Sequence, residues 1–186
     1  MAAEKQFAAV IFGTLVAYIN CQYISNFLAN STPDITQFYR TNEIIWTINT
    51  TIANTTIFCK VDQVNKTTTT DTLFTRSYVW KENVTSNYLK GTFTELSVLV
   101  NKKVYNAMMV GIPGGMVSST EELVSEYRNY TCGIFKIVFA NSMPSHYEVR
   151  VKNMTVDQPD QECVKQFSEI AGQHIITIYN SSCHYT

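Results

Sequence analysis

Charged residues in two predicted strands are the side chains in this sequence best suited to binding a polar group. Glu148 and Arg150 lie two positions apart in one strand, and Arg76 lies in another. Because successive side chains of a strand point to opposite faces, Glu148 and Arg150 share a face. A carboxylate pairs with a cation, whereas a guanidinium can hold a carboxylate through two hydrogen bonds. The pattern therefore favours a binding site for a small charged molecule.

The sequence carries no recognisable catalytic or metal-binding motif. Its histidines, His146, His174 and His184, lack a partner at zinc-site spacing and are interpreted as surface or loop residues. Residues 111–115 contain glycines but lack the Lys-Ser/Thr of a phosphate-binding loop, so they predict a hairpin turn. Cysteines held in disulfides cannot act as nucleophiles. We therefore expect a binding protein rather than an enzyme, with no metal and no cofactor.

The N-terminal residues and the cysteines indicate secretion. Lys5, the apolar residues 7–19 and the end at Cys21 are typical of a signal peptide, which we predict over residues 1–21. An N-terminal membrane anchor is the alternative interpretation of this segment. Cleavage after Cys21 would leave one domain over residues 22–186 with four cysteines, for which three pairings are possible. Paired cysteines are typical of extracellular domains.

Glycosylation signals and charge agree with an extracellular domain. Asn-x-Ser/Thr sequons are more frequent than chance predicts and start at Asn30, Asn49, Asn54, Asn65, Asn83, Asn129, Asn153 and Asn180. The net charge is −1, and no basic stripe indicates nucleic-acid binding. No apolar run after the N-terminal segment is long enough to predict a membrane span.

Strand-forming segments dominate the rest of the chain. β-Branched and aromatic residues, separated by short polar turns, predict strands at residues 43–51, 56–63, 72–81, 87–99, 104–112, 121–128, 130–140 and 146–153. No helix of useful length separates these strands, which excludes a parallel α/β sheet. Eight short strands predict an antiparallel barrel or sandwich.

One helix is predicted near each end of this strand region. Pro33 and Asp34 provide a start signal for a short helix over residues 34–40. Near the C-terminus, Pro159 is expected in the first turn of a second helix and Gly172 is expected to end it. An apolar stripe marks the buried face of this helix and consists of Cys163, Val164, Phe167 and Ile170. Residues 175–179 predict a final extended segment.

The mature chain resembles the tick salivary lipocalins, the family that includes the histamine-binding proteins. The resemblance is carried by Tyr130-Thr131-Cys132-Gly133-Ile134, Tyr147-Glu148-Val149-Arg150, Glu162-Cys163-Val164-Lys165-Gln166-Phe167, Ile178-Tyr179-Asn180-Ser181-Ser182-Cys183, Ile44-Ile45-Trp46-Thr47-Ile48 and Phe58-Cys59. It implies an all-β fold, an eight-stranded antiparallel lipocalin barrel with a short N-terminal helix and a C-terminal helix. It also implies the disulfides Cys59–Cys183 and Cys132–Cys163.

The amine-binding signature of that family is only partly present. Gly133 replaces an aspartate that would contact a cationic amine, and Arg150 replaces an aromatic residue that would stack on it. Glu148 is retained. These changes suit an anion, which Arg150 and Arg76 could hold, although Arg150 could instead simply pair with Glu148. Candidate residues around the rest of the ligand are Phe74, Tyr78, Trp80, Phe93, Phe135 and Trp46.

The resemblance implies a monomeric, secreted salivary protein that sequesters a small host inflammatory mediator without turnover. A lipid such as a leukotriene or fatty acid is the preferred ligand, and a biogenic amine such as histamine or serotonin is the alternative. A further alternative is a protein-binding inhibitor of host complement or haemostasis. An immunoglobulin-like sandwich is disfavoured because Trp46 precedes Cys59 instead of lying between two paired strand cysteines.

Overall fold

The computed structural model describes residues 32–96, 104–172 and 174–185. The predicted signal peptide over residues 1–21, Cys21 and the sequon at Asn30 lie outside these ranges. Among the helices that are described, none is long and apolar enough to cross a membrane.

Eight antiparallel strands close into a barrel, which confirms the predicted lipocalin fold. The strands are β1 (Ile44–Thr50), β2 (Ile57–Thr67), β3 (Asp71–Trp80), β4 (Asn83–Thr94), β5 (Ala107–Gly111), β6 (Val117–Tyr127), β7 (Cys132–Phe139) and β8 (His146–Lys152). Each strand pairs with the next, and β1 pairs with both β8 and β2. A short strand, β9 (Ile176–Thr177), pairs with the end of β1, beyond the part that pairs with β2.

Two strands begin four residues earlier than the sequence pattern predicts. β4 starts at Asn83 rather than Asn87, because Lys81 and Glu82 both adopt positive φ and form a two-residue hairpin turn. β6 starts at Val117 rather than Glu121 and follows a hairpin in which Gly114 has φ +76°. The missed residues are largely polar because one face of each strand is exposed to water.

The N-terminal helix α1 (Ile35–Tyr39) plugs one end of the barrel. Asp34 caps it, and its side chain accepts a hydrogen bond from the Thr36 amide. Phe38 and Tyr39 are completely buried and pack against Phe74 and Phe135. Packing around this plug fills that end of the barrel with apolar side chains.

The C-terminal helix α2 (Gln161–Ala171) packs on the outside of the barrel. Asp160 caps its first turn, so Pro159 precedes the cap and does not lie in the first turn as predicted. Gly172 ends the helix with φ +63°, as predicted. Phe167 and Cys163 are buried against outward-facing residues of β1, β7 and β8, which are Trp46, Ile134, Val149 and Val151.

The disulfides pair as the family resemblance implies. Cys59–Cys183 joins the start of β2 to the C-terminal segment, and Cys132–Cys163 joins β7 to α2. Each closes a long loop of the unfolded chain, with separations of 124 and 31 residues. By limiting that chain, each contributes about 3–5 kcal/mol to stability.

Most of the described sequons lie where a glycan would reach water. Exposed asparagines are Asn54, Asn65, Asn83, Asn129, Asn153 and Asn180, whereas Asn49 is half-buried in β1. Surface exposure is compatible with glycosylation, and glycosylation itself stays a prediction.

Candidate ligand-binding site

A cavity of about 380 Å³ occupies the half of the barrel opposite α1. Its wall combines residues from the strand ends and from the β1–β2 connection. The apolar members are Ile52, Ile57, Leu89, Val110, Ile112, Phe139 and Ile178. Hydroxyl and amide groups, including those of Tyr78, Asn87 and Ser119, interrupt this surface. The wall therefore suits a mainly apolar molecule with a few polar atoms.

Six ionisable residues form a network at the floor of the cavity. They are Lys60, Asp62, Arg76, Glu121, Glu148 and Arg150, and none has a side chain more than 14% exposed. The three cations balance the three carboxylates. Such burial is tolerated only because each charge has opposite charges and hydrogen bonds to offset its lost hydration.

Arg150 is fully buried and already occupied by protein groups. Its Nε and Nη2 donate to Glu148 Oε2 at 3.0 and 2.7 Å. Its Nη1 donates to Glu121 Oε2 at 2.5 Å and to the Tyr39 hydroxyl at 2.8 Å. The guanidinium carbon lies 4.5 Å from the centre of the Phe135 ring. Of its two predicted roles, holding an anionic ligand or pairing with Glu148, Arg150 therefore has the second.

Arg76 is clamped between two other carboxylates. Its Nε and Nη2 donate to the two oxygens of Asp62, each at 2.7 Å. Its Nη1 donates to Glu121 Oε1 at 2.6 Å, and Nη2 reaches Glu121 Oε2 at 3.2 Å. Arg76 lines the cavity, but these contacts largely neutralise its charge.

The network keeps the carboxylates of Glu121 and Glu148 ionised. Burial alone would raise the pKa of Glu121, but Arg150 and Arg76 lower it more strongly, so it lies far below its ordinary value. For Glu148, burial is likewise outweighed by Lys60 and Arg150, which hold its pKa well below the usual range. Burial raises the pKa of Tyr39, so its hydroxyl stays protonated and donates to Asp62 Oδ2 at 3.0 Å.

Unused hydrogen-bonding capacity at the floor belongs to Lys60 and His146. Lys60 Nζ donates to Glu148 Oε1 at 2.5 Å, which occupies one of the three ammonium N–H groups. His146 Nε2 lies 3.4 Å from the same oxygen. His146 Nδ1 has no hydrogen-bond partner among the described residues, although the side chain is only 5% exposed. The imidazole stacks on Phe139, with 5.2 Å between the ring centres.

The structure brings only some of the predicted ligand-binding residues to the cavity. Glu148, Arg76 and Tyr78 line it. Phe74, Phe93 and Phe135 lie in the apolar core with the α1 plug, and Arg150 contacts that core through the Phe135 ring.

Neither tryptophan lies in the cavity wall. Trp80, at the end of β3, is 45% exposed. Trp46 lies outside the barrel wall, where it packs on Tyr179 and donates to Asn153 Oδ1 at 2.8 Å. The reason is alternation along β1, which turns Ile45 inward and Trp46 outward.

Sequence reasoning missed Lys60, Asp62, Glu121 and His146. Lys60 and Asp62 lie two positions apart in β2, as Glu148 and Arg150 do in β8. The rule that residues two apart share a face of a strand could therefore have paired them. A bulge hides this pattern, since Cys59 has φ +51° and the pairing of β2 with β3 shifts between Phe58 and Val61. His146 was interpreted as a surface or loop residue, and the structure corrects this because it is the buried first residue of β8.

Gly133 has no room for the aspartate of the amine-binding signature. A Cβ atom at this position would lie 2.8 Å from Phe38 Cε2 and 2.9 Å from Leu123 Cδ1. The α1 plug thus occupies the space that an acidic side chain would need.

Comparison with solved structures shows which class of protein has this fold. No protein-family model matches the sequence, and no curated protein matches it. A structure described as AM182 in complex with serotonin has TM-score 0.61 and 16% identity, covering 83% of this chain and 94% of the other. Japanin from Rhipicephalus appendiculatus bound to cholesterol has TM-score 0.56 and 9% identity, covering 81% and 100%. The siderocalin Ex-FABP has TM-score 0.55 and 4% identity, covering 75% and 94%. The chain therefore has the lipocalin fold.

Proposed function

We propose that the protein is a secreted lipocalin that binds one small amphipathic molecule in its cavity and sequesters it. The observation that carries this proposal is the cavity of about 380 Å³, with a mainly apolar wall and an ionised floor. Pockets of roughly 300–1,000 Å³ are typical of small-ligand sites. The apolar part of the ligand would contact the wall, and its polar end would reach the floor.

Two further observations support this function. The two disulfides suit an extracellular protein. Two proteins of similar fold are described as complexes with small molecules, AM182 with serotonin and japanin with cholesterol. Sequestration requires affinity and abundance but no chemical step. The charged groups of this site can supply affinity through hydrogen bonds.

A lipid mediator with an acidic end, such as a leukotriene or fatty acid, is the preferred ligand in this proposal. Leu89, Val110 and Ile178 offer apolar surface for an acyl chain. The sequence-based proposal that Arg150 holds the acid does not carry over, because Glu148 and Glu121 already occupy its guanidinium.

A biogenic amine is the second candidate, favoured by Glu148 in the cavity floor and by the serotonin complex of AM182. Against it, both oxygens of Glu148 already accept hydrogen bonds from Lys60 and Arg150.

The proposal can be tested by calorimetry, in which leukotriene B4, serotonin and histamine are each titrated into the secreted, disulfide-intact protein. We expect saturable one-to-one binding of the leukotriene. Leu89→Trp should abolish it by filling the cavity, whereas Tyr88→Trp, on the exposed face of the same strand, should bind normally. Binding of an amine alone would overturn the lipid preference. If none of the three ligands binds, the result would contradict a small-molecule function and favour a host-protein partner.

A further inference from the structure

We propose that Lys60 and His146 form a head-group subsite that selects ligands ending in a carboxylate, and that His146 gains one proton when the carboxylate binds. This inference rests on the proposed small-molecule function and adds to it two specificity-determining residues and a proton linkage. In this proposal, Lys60 and His146 recognise the ligand in place of Arg76 and Arg150.

The subsite is defined by two groups that approach one oxygen atom from different strands. Lys60 Nζ, from β2, and His146 Nε2, at the start of β8, lie 2.5 and 3.4 Å from Glu148 Oε1. Both residues line the cavity. Lys60 retains two N–H donors for a ligand, and His146 Nδ1 has no partner in the described structure. An unpaired polar atom in a buried side chain carries a desolvation cost that a ligand can remove.

The existing hydrogen bonds favour an acid over an amine. Glu148 Oε1 accepts from Lys60, and Oε2 accepts twice from Arg150. An incoming ammonium would have to displace Lys60 from Glu148 and leave two cations competing for one carboxylate. An incoming carboxylate can instead accept hydrogen bonds from the unused N–H groups of Lys60 without breaking any contact of the network.

Charge balance supplies the reason for the proton. The six-residue network is neutral, so a bound carboxylate would leave an uncompensated negative charge in a poorly solvated site. Because Glu148 is ionised, hydrogen bonding to it requires the proton of a neutral imidazole to lie on Nε2, which leaves Nδ1 as an acceptor. Protonation of Nδ1 adds a positive charge beside the bound carboxylate and restores neutrality.

Charged groups of both signs lie near His146. Glu148, its contact on β8, is negatively charged. Lys60 of β2 and Arg76 of β3, which line the same cavity, are positively charged. Ser119 of β6 is neutral and the Phe139 ring of β7 covers one face of the imidazole. A ligand carboxylate is the additional negative charge that would favour the protonated form. Since binding takes up a proton, affinity for acids should rise as pH falls through the range in which histidine titrates.

Three ligands with the same chain but different ends test this subsite: decanoic acid, decan-1-ol and decylamine. Calorimetry at pH 7.5 should show the acid binding most tightly, with a heat that depends on the ionisation enthalpy of the buffer as expected for uptake of about one proton. Lys60→Met should weaken decanoic acid by about tenfold or more, as for loss of a charge-assisted hydrogen bond, and leave decan-1-ol nearly unchanged.

His146→Gln provides the second arm, because glutamine can donate to Glu148 but cannot take up a proton. This variant should bind decanoic acid with no dependence on buffer or on pH between 6 and 8, a range set by histidine chemistry. Matched controls are Lys90→Met, at a surface ion pair with Asp71, and His174→Gln, at an exposed position; both should behave as wild type.

The outcomes separate the subsite from the proposed function. Equal or tighter binding of decylamine or decan-1-ol would overturn the subsite and leave small-molecule binding intact. Tight binding of the acid with a buffer-independent heat would overturn the proton at His146. If the wild-type protein binds none of the three, both the subsite and the proposed function are wrong.

Discussion

Arg150 Nη1 and Glu121 Oε2 lie 2.5 Å apart inside the barrel, and neither side chain reaches solvent. Arg150 belongs to β8 and Glu121 to β6, so the pair spans the strand between them. Together with Arg76, Asp62 and Tyr39, it forms a polar layer between the apolar plug around α1 and the open cavity. The layer thus sets both the depth of the cavity and the charge that a ligand meets there.

Replacement of Arg150 should therefore destabilise the protein. Arg150→Met removes the donors of Glu148 Oε2 and one donor of Glu121, leaving carboxylates buried without full compensation. Breaking a buried pair in this way costs about 3–5 kcal/mol. Urea unfolding followed by fluorescence measures the loss.

Arg128→Met is the matched control for that variant. Arg128 pairs with Asp160 at 2.6 Å, but its side chain is 71% exposed. Removing an exposed pair should cost under about 1 kcal/mol. Similar losses in the two variants would contradict a compensating role for Arg150 in the buried layer.

Acid should weaken the fold through Glu121 and Glu148. Despite burial, their cationic neighbours lower both folded-state pKa values below those of an unfolded chain. The stabilisation is therefore complete above the unfolded glutamate pKa of about 4.3 and is lost as pH falls from there toward the folded values. The free energy of unfolding, measured in urea across this acidic range, should decrease with falling pH.

Glu121→Gln isolates the contribution of one carboxylate to this pH dependence. The variant should be less stable than wild type at neutral pH, yet its stability should fall less steeply in acid. Glu162→Gln, which changes an exposed residue of α2, should keep the wild-type slope. An unchanged slope in Glu121→Gln would show that Glu121 does not supply the acid sensitivity.

Reintroducing an acidic residue at position 133 should damage the fold rather than create an amine site. Gly133→Asp would force its Cβ into Phe38 and Leu123 and bury a new charge in the apolar core. Overpacking alone costs about 1–3 kcal/mol. The new carboxylate would lie beside Arg150, its cross-strand neighbour, which Glu121 and Glu148 already occupy, so its burial adds to that cost. Thermal unfolding with parallel serotonin titration should show a lower Tm and no gain in binding. Val138→Asp, at an exposed position of the same strand, is the control, and an equally stable Gly133→Asp protein would refute the packing argument.

Alternation is a local signal, so the sequence predicts the antiparallel strands well, whereas the choice of a barrel over a sandwich comes from the resemblance to the lipocalins. Glu148 and Arg150 share one face of β8, as alternation predicts, and are hydrogen-bonded to each other. Trp46 was misplaced because its size and apolar character fit a cavity as well as they fit the interface with α2. Only the register of β1 distinguishes these two environments.

The partners of the charged residues could not be predicted in the same way. Glu148 is close to Arg150 in sequence, whereas Glu121 meets Arg150 only when β6, β7 and β8 assemble into one sheet. Lys60 reaches Glu148 from 88 positions away, after a bulge at Cys59 that shifts the register. The availability of each cation for a ligand depends on these long-range contacts. The sequence therefore indicates a charged site without showing which charges are already paired.

The two disulfides should differ in their contribution to stability according to the loops they close. In the chain-entropy account, the closure across 124 residues is worth about 5 kcal/mol, and the closure across 31 residues about 4 kcal/mol. We expect Cys59→Ala with Cys183→Ala to lower the free energy of unfolding slightly more than Cys132→Ala with Cys163→Ala, as measured by urea denaturation. The second pair lies in the core between α2 and the barrel, so its removal also leaves a space beside Phe167. A clearly larger loss for Cys132–Cys163 would mean that packing of α2 outweighs loop length, and Phe167→Ala should then reproduce much of that loss without touching either disulfide.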